Sequence, residues 1–219
     1  MYILWFDGLF QRISLKQSLS NEAGLMGYGW IIFRDDRIIA KGQGVFGRGK
    51  GATSGVAEYL ALLEGLDGLR DLCRADDPIE IRGDAKFIID QVTGLSLVTS
   101  ESIKPLYAQV KDLSHPFHHL QWIWTPRRHN RNADALSRHA MSHLLRSPSY
   151  YKYAIQAVIQ DSKKKRVRRG FLSLVDLRIY QPGGDLNAPA SRRTAIHAQN
   201  MGLREQPQFP GWSLLPVEP

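Results

Sequence analysis

Residues 2–10 form an almost unbroken apolar and aromatic stretch with Asp7 set inside it, which predicts a buried strand carrying an acid. A polar stretch over residues 11–24 predicts an extended turn. Residues 27–33 and 37–40 predict two more strands around the turn Arg34-Asp35-Asp36, as an antiparallel meander. Residues 43–55 are rich in glycine and predict a flexible loop. Val56, Leu60, Leu63, Leu66 and Leu69 then fall near helical spacing, with Thr53 or Ser54 as the cap. After Pro78, residues 79–83 alternate as a strand that ends at Asp84. Phe87, Ile88 and Val92 mark a short helix stopped by Gly94, and residues 103–113 another helix. Residues 119–124 alternate as a last strand before Pro126. A helix opening near Asn132 runs on through Ala135, Leu136, Ala140, Leu144 and Leu145.

Strands clustered first and then alternating with helices predict a mixed α/β sheet with helices on its faces. The pattern weakens after Arg146. Residues 150–159 suit a helix, 163–169 are a charge run, and the stretch from Pro182 onward reads as loop. The expected organisation is therefore a catalytic-size domain over residues 1–146 and a basic extension over 147–219. Charge supports that division. Residues 147–219 carry 11 Lys/Arg against 5 Asp/Glu, most of the formal net charge of +8. Such an excess favours anionic partners, and solubility explains it equally well. The single cysteine, Cys73, rules out an internal disulfide and fits a reducing compartment. No apolar run approaches a membrane span and the start lacks a signal-peptide pattern, so a cytoplasmic location is expected.

Acids inside apolar segments need an explanation, because burying a carboxylate costs several kcal/mol or more unless it is paired or binds a cation. Asp7 sits among Trp5, Phe6, Leu9 and Phe10, and Asp84 ends the fourth strand. In mixed α/β sheets ligands collect beyond the carboxyl ends of strands, where strand order reverses. If the first and fourth strands are parallel neighbours, Asp7 and Asp84 meet there, with Glu58 reaching in from the long helix and Asp134 from the last one. No His or Lys is interleaved with them, so a hard cation with oxygen ligands is the natural occupant. Any one of these acids alone reads as an ordinary cap or surface charge.

The neighbouring words add more. Phe6-Asp7-Gly8, Gly27-Tyr28-Gly29, Ala57-Glu58-Tyr59-Leu60-Ala61-Leu62, Gly83-Asp84-Ala85-Lys86-Phe87 and Arg127-Arg128-His129-Asn130-Arg131-Asn132-Ala133-Asp134 occur in that order. Together, over about residues 1–145, they resemble the type 1 ribonuclease H family, in particular its compact archaeal and reverse-transcriptase-like branch. The resemblance implies a five-stranded mixed sheet in the order 3-2-1-4-5. It also implies magnesium- or manganese-dependent cleavage of the RNA strand of RNA–DNA hybrids with two ions per site, leaving a 3′-hydroxyl and a 5′-phosphate. Asp7 resembles the acid that bridges both ions, Glu58 and Asp84 the acids of one ion, and Asp134 the acid of the ion that activates water. Gly8, Ser54, Arg127, Arg128 and His129 fall where the family contacts substrate.

Several features depart from the family pattern. Arg127 or Arg128 stands where many members carry a flexible histidine, and His129 is either a proton shuttle or an exposed loop residue. Ser54 and Gly55 replace the usual asparagines. The connection over residues 9–24 is longer than usual, and a separate basic handle is absent. Other readings stand beside this one: a nuclease of the same fold acting on DNA, and a non-catalytic nucleic-acid-binding module. The glycines of residues 44–51 nearly spell a phosphate-binding loop, but Gly51 occupies the position that needs Ser or Thr. The run from Lys163 to Arg169 is either a nucleic-acid-binding arm or a solvated charge cluster.

Overall fold

The computed structural model describes residues 1–13, 23–163 and 171–180. Among the described residues six strands form one sheet, β1 (Tyr2–Arg12), β2 (Gly24–Arg34), β3 (Arg37–Arg48), β4 (Ile79–Gly83), β5 (Leu120–Trp124) and β6 (Leu172–Tyr180), in the order β5-β4-β1-β2-β3-β6. β1 runs parallel to β4, and β4 parallel to β5, while β1–β2, β2–β3 and β3–β6 are antiparallel. The expected neighbourhood of β1 and β4 is therefore present, and the expected order 3-2-1-4-5 lies inside the sheet. Five strands was one too few, because the extension supplies β6 against the outer side of β3.

The expected turn between β2 and β3 is present, and two expected loop segments are partly strand. β2 and β3 are joined by Asp35 and Asp36, both at positive φ (51° and 63°), which is the backbone that a two-residue hairpin turn demands. β1 and β2 also pair out to Arg12 and Gly24, so strand replaces much of the expected polar turn; residues 14–22 lie outside the described residues. The glycine-rich stretch from Gln43 to Arg48 is strand rather than flexible loop. Two glycines of β3 answer to packing. A Cβ on Gly42 would lie 2.3 Å from the Trp30 ring, and one on Gly47 would lie 2.8 Å from Val158. Strand pairing on both sides of Gly44 likewise removes the phosphate-loop reading of this segment.

Among the described residues five α-helices accompany the sheet: α1 (Ser54–Arg70), α2 (Lys86–Val92), α3 (Lys104–Ser114), α4 (Arg131–Arg146) and α5 (Pro148–Ser162). α1 begins where Thr53 accepts a hydrogen bond from the Val56 amide at 3.2 Å, so Thr53 is the cap and the exposed Ser54 is the first helical residue. Leu4, Phe6, Tyr28 and Trp30 from the sheet pack with Tyr59, Leu62 and Leu66 of α1 in the main core. Full burial of each such side chain is worth about 1.5–3 kcal/mol. α4 covers the opposite face, where Gly27 and Gly29 of β2 let its backbone approach. Among the described residues no helix is long and apolar enough to cross a membrane.

The extension is stitched in by charge as well as by strand pairing. Arg178 of β6 donates to Glu64 at 2.5 Å and to Asp67 at 2.8 Å, both on α1. Tyr28 donates to Asp176 of β6 at 2.7 Å, and the Gly49 amide donates to Asp161 of α5 at 2.9 Å. Of the basic run, residues 164–169 lie outside the described residues. Cys73 is half-buried, and burial pushes its thiol up to about 12, far from the reactive range.

Candidate metal centre

β1 delivers Asp7 and the end of β4 delivers Asp84 to the same side of the sheet's middle. α1 brings Glu58 down between them, because Gly8 has no side chain. A Cβ at Gly8 would lie 2.3 Å from the Glu58 nitrogen, so the helix start rests on the strand backbone. From there the Gly8 amide donates to Glu58 Oε2 at 3.0 Å. One ligand oxygen each from Asp7, Glu58 and Asp84 then lies within 4.8 Å of the others.

Each acid is held by uncharged donors. Ser137 of α4 donates to Asp7 Oδ2 at 2.5 Å. Asn130, 1% exposed, donates from Nδ2 to Asp84 Oδ1 at 2.9 Å and to the Phe6 carbonyl at 2.8 Å, tying β1 to the residue after β4. Although Asn130 is the cap of α4, its side chain makes no capping bond and is directed at the strands instead. Trp124 at the end of β5 donates to the Asp84 carbonyl at 3.1 Å.

The electrostatics are those of negative charge awaiting compensation. Burial, followed by repulsion from Asp84 and Asp134, pushes Asp7 up to about 6 against the pull of the Ser137 hydrogen bond. Burial and the charges of Asp7 and Asp84 push Glu58 well above the usual carboxylate range. Three crowded carboxylates held by neutral donors suit a hard divalent cation, which would favour the charged forms of Asp7 and Glu58.

Asp134 stands at the edge of this group, in the first turn of α4. Its oxygens accept from Arg127 at 2.6 Å and Arg138 at 2.7 Å. Burial would raise it, but these two guanidiniums outweigh that and hold it below the usual carboxylate range. It lies outside the three-acid cluster yet near enough for its charge to act on Asp7. Of the expected substrate-contact residues, Gly8 touches Glu58 and Arg127 touches Asp134. Ser54 is exposed at the start of α1, while Arg128 donates to His129 Nε2 at 3.0 Å, both exposed in the short 3-10 turn before α4. The sequence reading assigned no role to Asn130 or Ser137. Their signal was a small polar residue among Ala133, Ala140, Met141 and Leu144 on the buried side of α4, and an asparagine at its start.

The order of strands, the helices on both faces and the acids at the centre define a ribonuclease H-like fold. Residues 16–140 match the profile of the reverse transcriptase-like family, more than half of the chain, and the protein belongs to that family. A ribonuclease HI of Halobacterium salinarum is 32% identical over 114 residues, covering 52% of this chain and 55% of that protein. The crystal structure of RNase H1 from the same archaeon superposes with a TM-score of 0.54 and 29% identity, over 65% of this chain and 98% of that one. A bifunctional protein of Mycobacterium tuberculosis is 32% identical over 120 residues, 54% of this chain and 32% of its own length. The solved N-terminal RNase H domain of that mycobacterial protein gives a TM-score of 0.54 and 26% identity, over 71% of this chain and 96% of that chain. This chain thus spans about a third of its mycobacterial relatives' length, and the resemblance to type 1 ribonucleases H read from the motifs holds.

Proposed function

We propose that this protein is a divalent-metal-dependent endonuclease that hydrolyses the RNA strand of RNA–DNA hybrids. The observation that carries the reading is the three-carboxylate cluster formed where β4 ends beside the middle of the parallel strand β1. Its relatives named ribonuclease HI and RNase H1 support it. In this reading residues 1–146 carry the catalytic machinery, and Asp7, Glu58, Asp84 and Asp134 hold two magnesium or manganese ions. When bound, such ions supply a nucleophilic water at neutral pH and stabilise the leaving oxygen. The water oxygen bonds to phosphorus, the bond from phosphorus to the 3′ oxygen breaks, and the products are a 3′-hydroxyl and a 5′-phosphate. The chain's own groups fix the geometry. Glu58 faces the 2′-hydroxyl, the group that separates RNA from DNA. Gly8 and Ser54 border the bound strand, and Arg127, Arg128 and His129 meet its phosphates, with arginine suited to bidentate contact.

The run from Lys163 to Arg169 adds sequence-independent backbone contact in this proposal. Replacing its lysines and arginines by glutamine should weaken hybrid binding and flatten its salt dependence. Unchanged binding at low salt refutes that contribution.

One assay tests the main reading: labelled RNA–DNA hybrid, duplex DNA, duplex RNA and single-stranded RNA, each with magnesium and with manganese. Cleavage confined to the RNA of the hybrid is expected. Cleavage of duplex DNA would replace the reading by that of a DNA nuclease, and inactivity with both metals would leave a binding module.

A further inference from the structure

We infer that Ser137 is a positioning residue for the cation-binding carboxylate of Asp7, an inference that rests on the proposed metal-dependent reading of the site. Asp7 and Gly29 are direct partners across β1 and β2, so they share the face that α4 covers. A Cβ on Gly29 would lie 2.5 Å from the Ala133 carbonyl and 2.6 Å from the Ser137 nitrogen. The helix backbone therefore rests on the glycine next to Asp7. That approach lets a side chain with a single atom beyond Cβ reach the acid on the neighbouring strand.

The contact is built rather than incidental. Ser137 is 0% exposed and Asp7 4%, and they meet at 2.5 Å. A buried helical serine has an ordinary alternative, donation to the carbonyl three residues back, and Asp134 offers its carbonyl at 2.9 Å. That carbonyl lies inside the helix, where the amide four residues on is its regular partner, so it does not need the hydroxyl. The carboxylate does, because a hydrogen bond to an ionised acceptor is roughly twice as strong as one between neutral groups. With Oδ2 held by Ser137, the rotation of the Asp7 carboxylate is fixed and its other oxygen is left to a cation. Asn130 treats Asp84 in the same way, holding Oδ1. Helix α4 and its cap residue thus preset one oxygen on Asp7 and one on Asp84.

The test uses the whole protein and Ser137→Ala, which favours the helix and removes one buried oxygen. Its metal-free melting temperature should fall slightly, because the alanine favours the helix while a buried oxygen of Asp7 loses its donor. Its manganese Kd, read from the electron paramagnetic resonance of free manganese, should weaken about 10-fold, within the range usual for partners that orient metal ligands. Turnover of hybrid should fall while KM holds. Ser137→Cys fills the same space with a poor donor and should resemble the alanine variant. A Cys variant with wild-type manganese affinity would make Ser137 a space-filling residue and overturn the inference, as would wild-type affinity and turnover in the alanine variant. Wild-type protein that binds manganese and cleaves hybrid while the variants are unaffected defeats this inference alone. Wild-type protein that binds no manganese defeats the proposed function with it.

Discussion

Arg178 on the last described strand donates to Glu64 in the middle of the helix that carries Glu58. Glu64 is 8% exposed, and the guanidinium it meets also holds Asp67. Removing one partner of a buried ion pair leaves an uncompensated charge and costs about 3–5 kcal/mol. Arg178→Met should lose stability on that scale in urea denaturation, and the double variant Arg178→Met with Glu64→Gln should recover part of it. A single variant as stable as the wild type would mean that the Arg178 ion pairs do not hold β6 in place.

Asp7 makes stability depend on pH in an unusual direction. Its folded-state pKa, about 6, lies above that of an unfolded aspartate, so the folded protein binds the extra proton. The resulting penalty is absent below about pH 4, grows as pH rises through 6 and is complete above it; two units correspond to about 3 kcal/mol at most. Asp7→Asn should therefore stabilise the metal-free protein at pH 7.5 and do nothing at pH 4. Melting curves with a chelator at both values check the sign. A saturating divalent cation should stabilise the wild type at pH 7.5, by about 2.7 kcal/mol at a hundredfold excess over Kd, and should fail to do so in the variant.

Asp84→Asn separates chemistry from folding. Asparagine keeps an oxygen for the Asn130 amide, so the bond at 2.9 Å survives while the charge is lost. Loss of an orienting partner typically costs 10–100-fold, so loss of the ligand itself should reduce hybrid cleavage by more than about 100-fold with the circular dichroism spectrum unchanged. Full activity in this variant would defeat the proposed site.

Gly42→Ala should be destabilising by about 1–3 kcal/mol, since the added methyl meets a fully buried Trp30 that has nowhere to move. The acids of the proposed metal site lie elsewhere, so activity per folded molecule should be retained. A neutral effect in denaturation would show that the tryptophan ring can yield.

Much of this was readable from the chain because burial and chemistry pull in opposite directions at Asp7 and Asp84. An acid in an apolar strand marks itself, and the neighbouring words then placed Glu58. The second half of β3 was hidden because its glycines have the composition of a loop; Gly47 makes room for Val158, which belongs to an element far along the chain. β6 went unassigned although Val175-Asp176-Leu177-Arg178-Ile179 alternates, because Asp176 and Arg178 find partners on β2 and α1 that the local pattern does not show. Ser137 and Asn130 were equally silent, as their partners are set by how α4 crosses β2. The arginines at Asp134 needed geometry too, Arg138 sitting one helical turn on and Arg127 ahead of the helix.

The position of β6 also bears on how the molecule is made. Until residues 172–180 have been synthesised, the 12-residue strand β3 is the outer strand of the sheet, bare of a neighbour on one side and studded with glycine. An edge of that kind is a template for pairing with another chain. Fragments that stop near residue 146 should accordingly self-associate through β3, and the late strand acts as the molecule's own guard against aggregation.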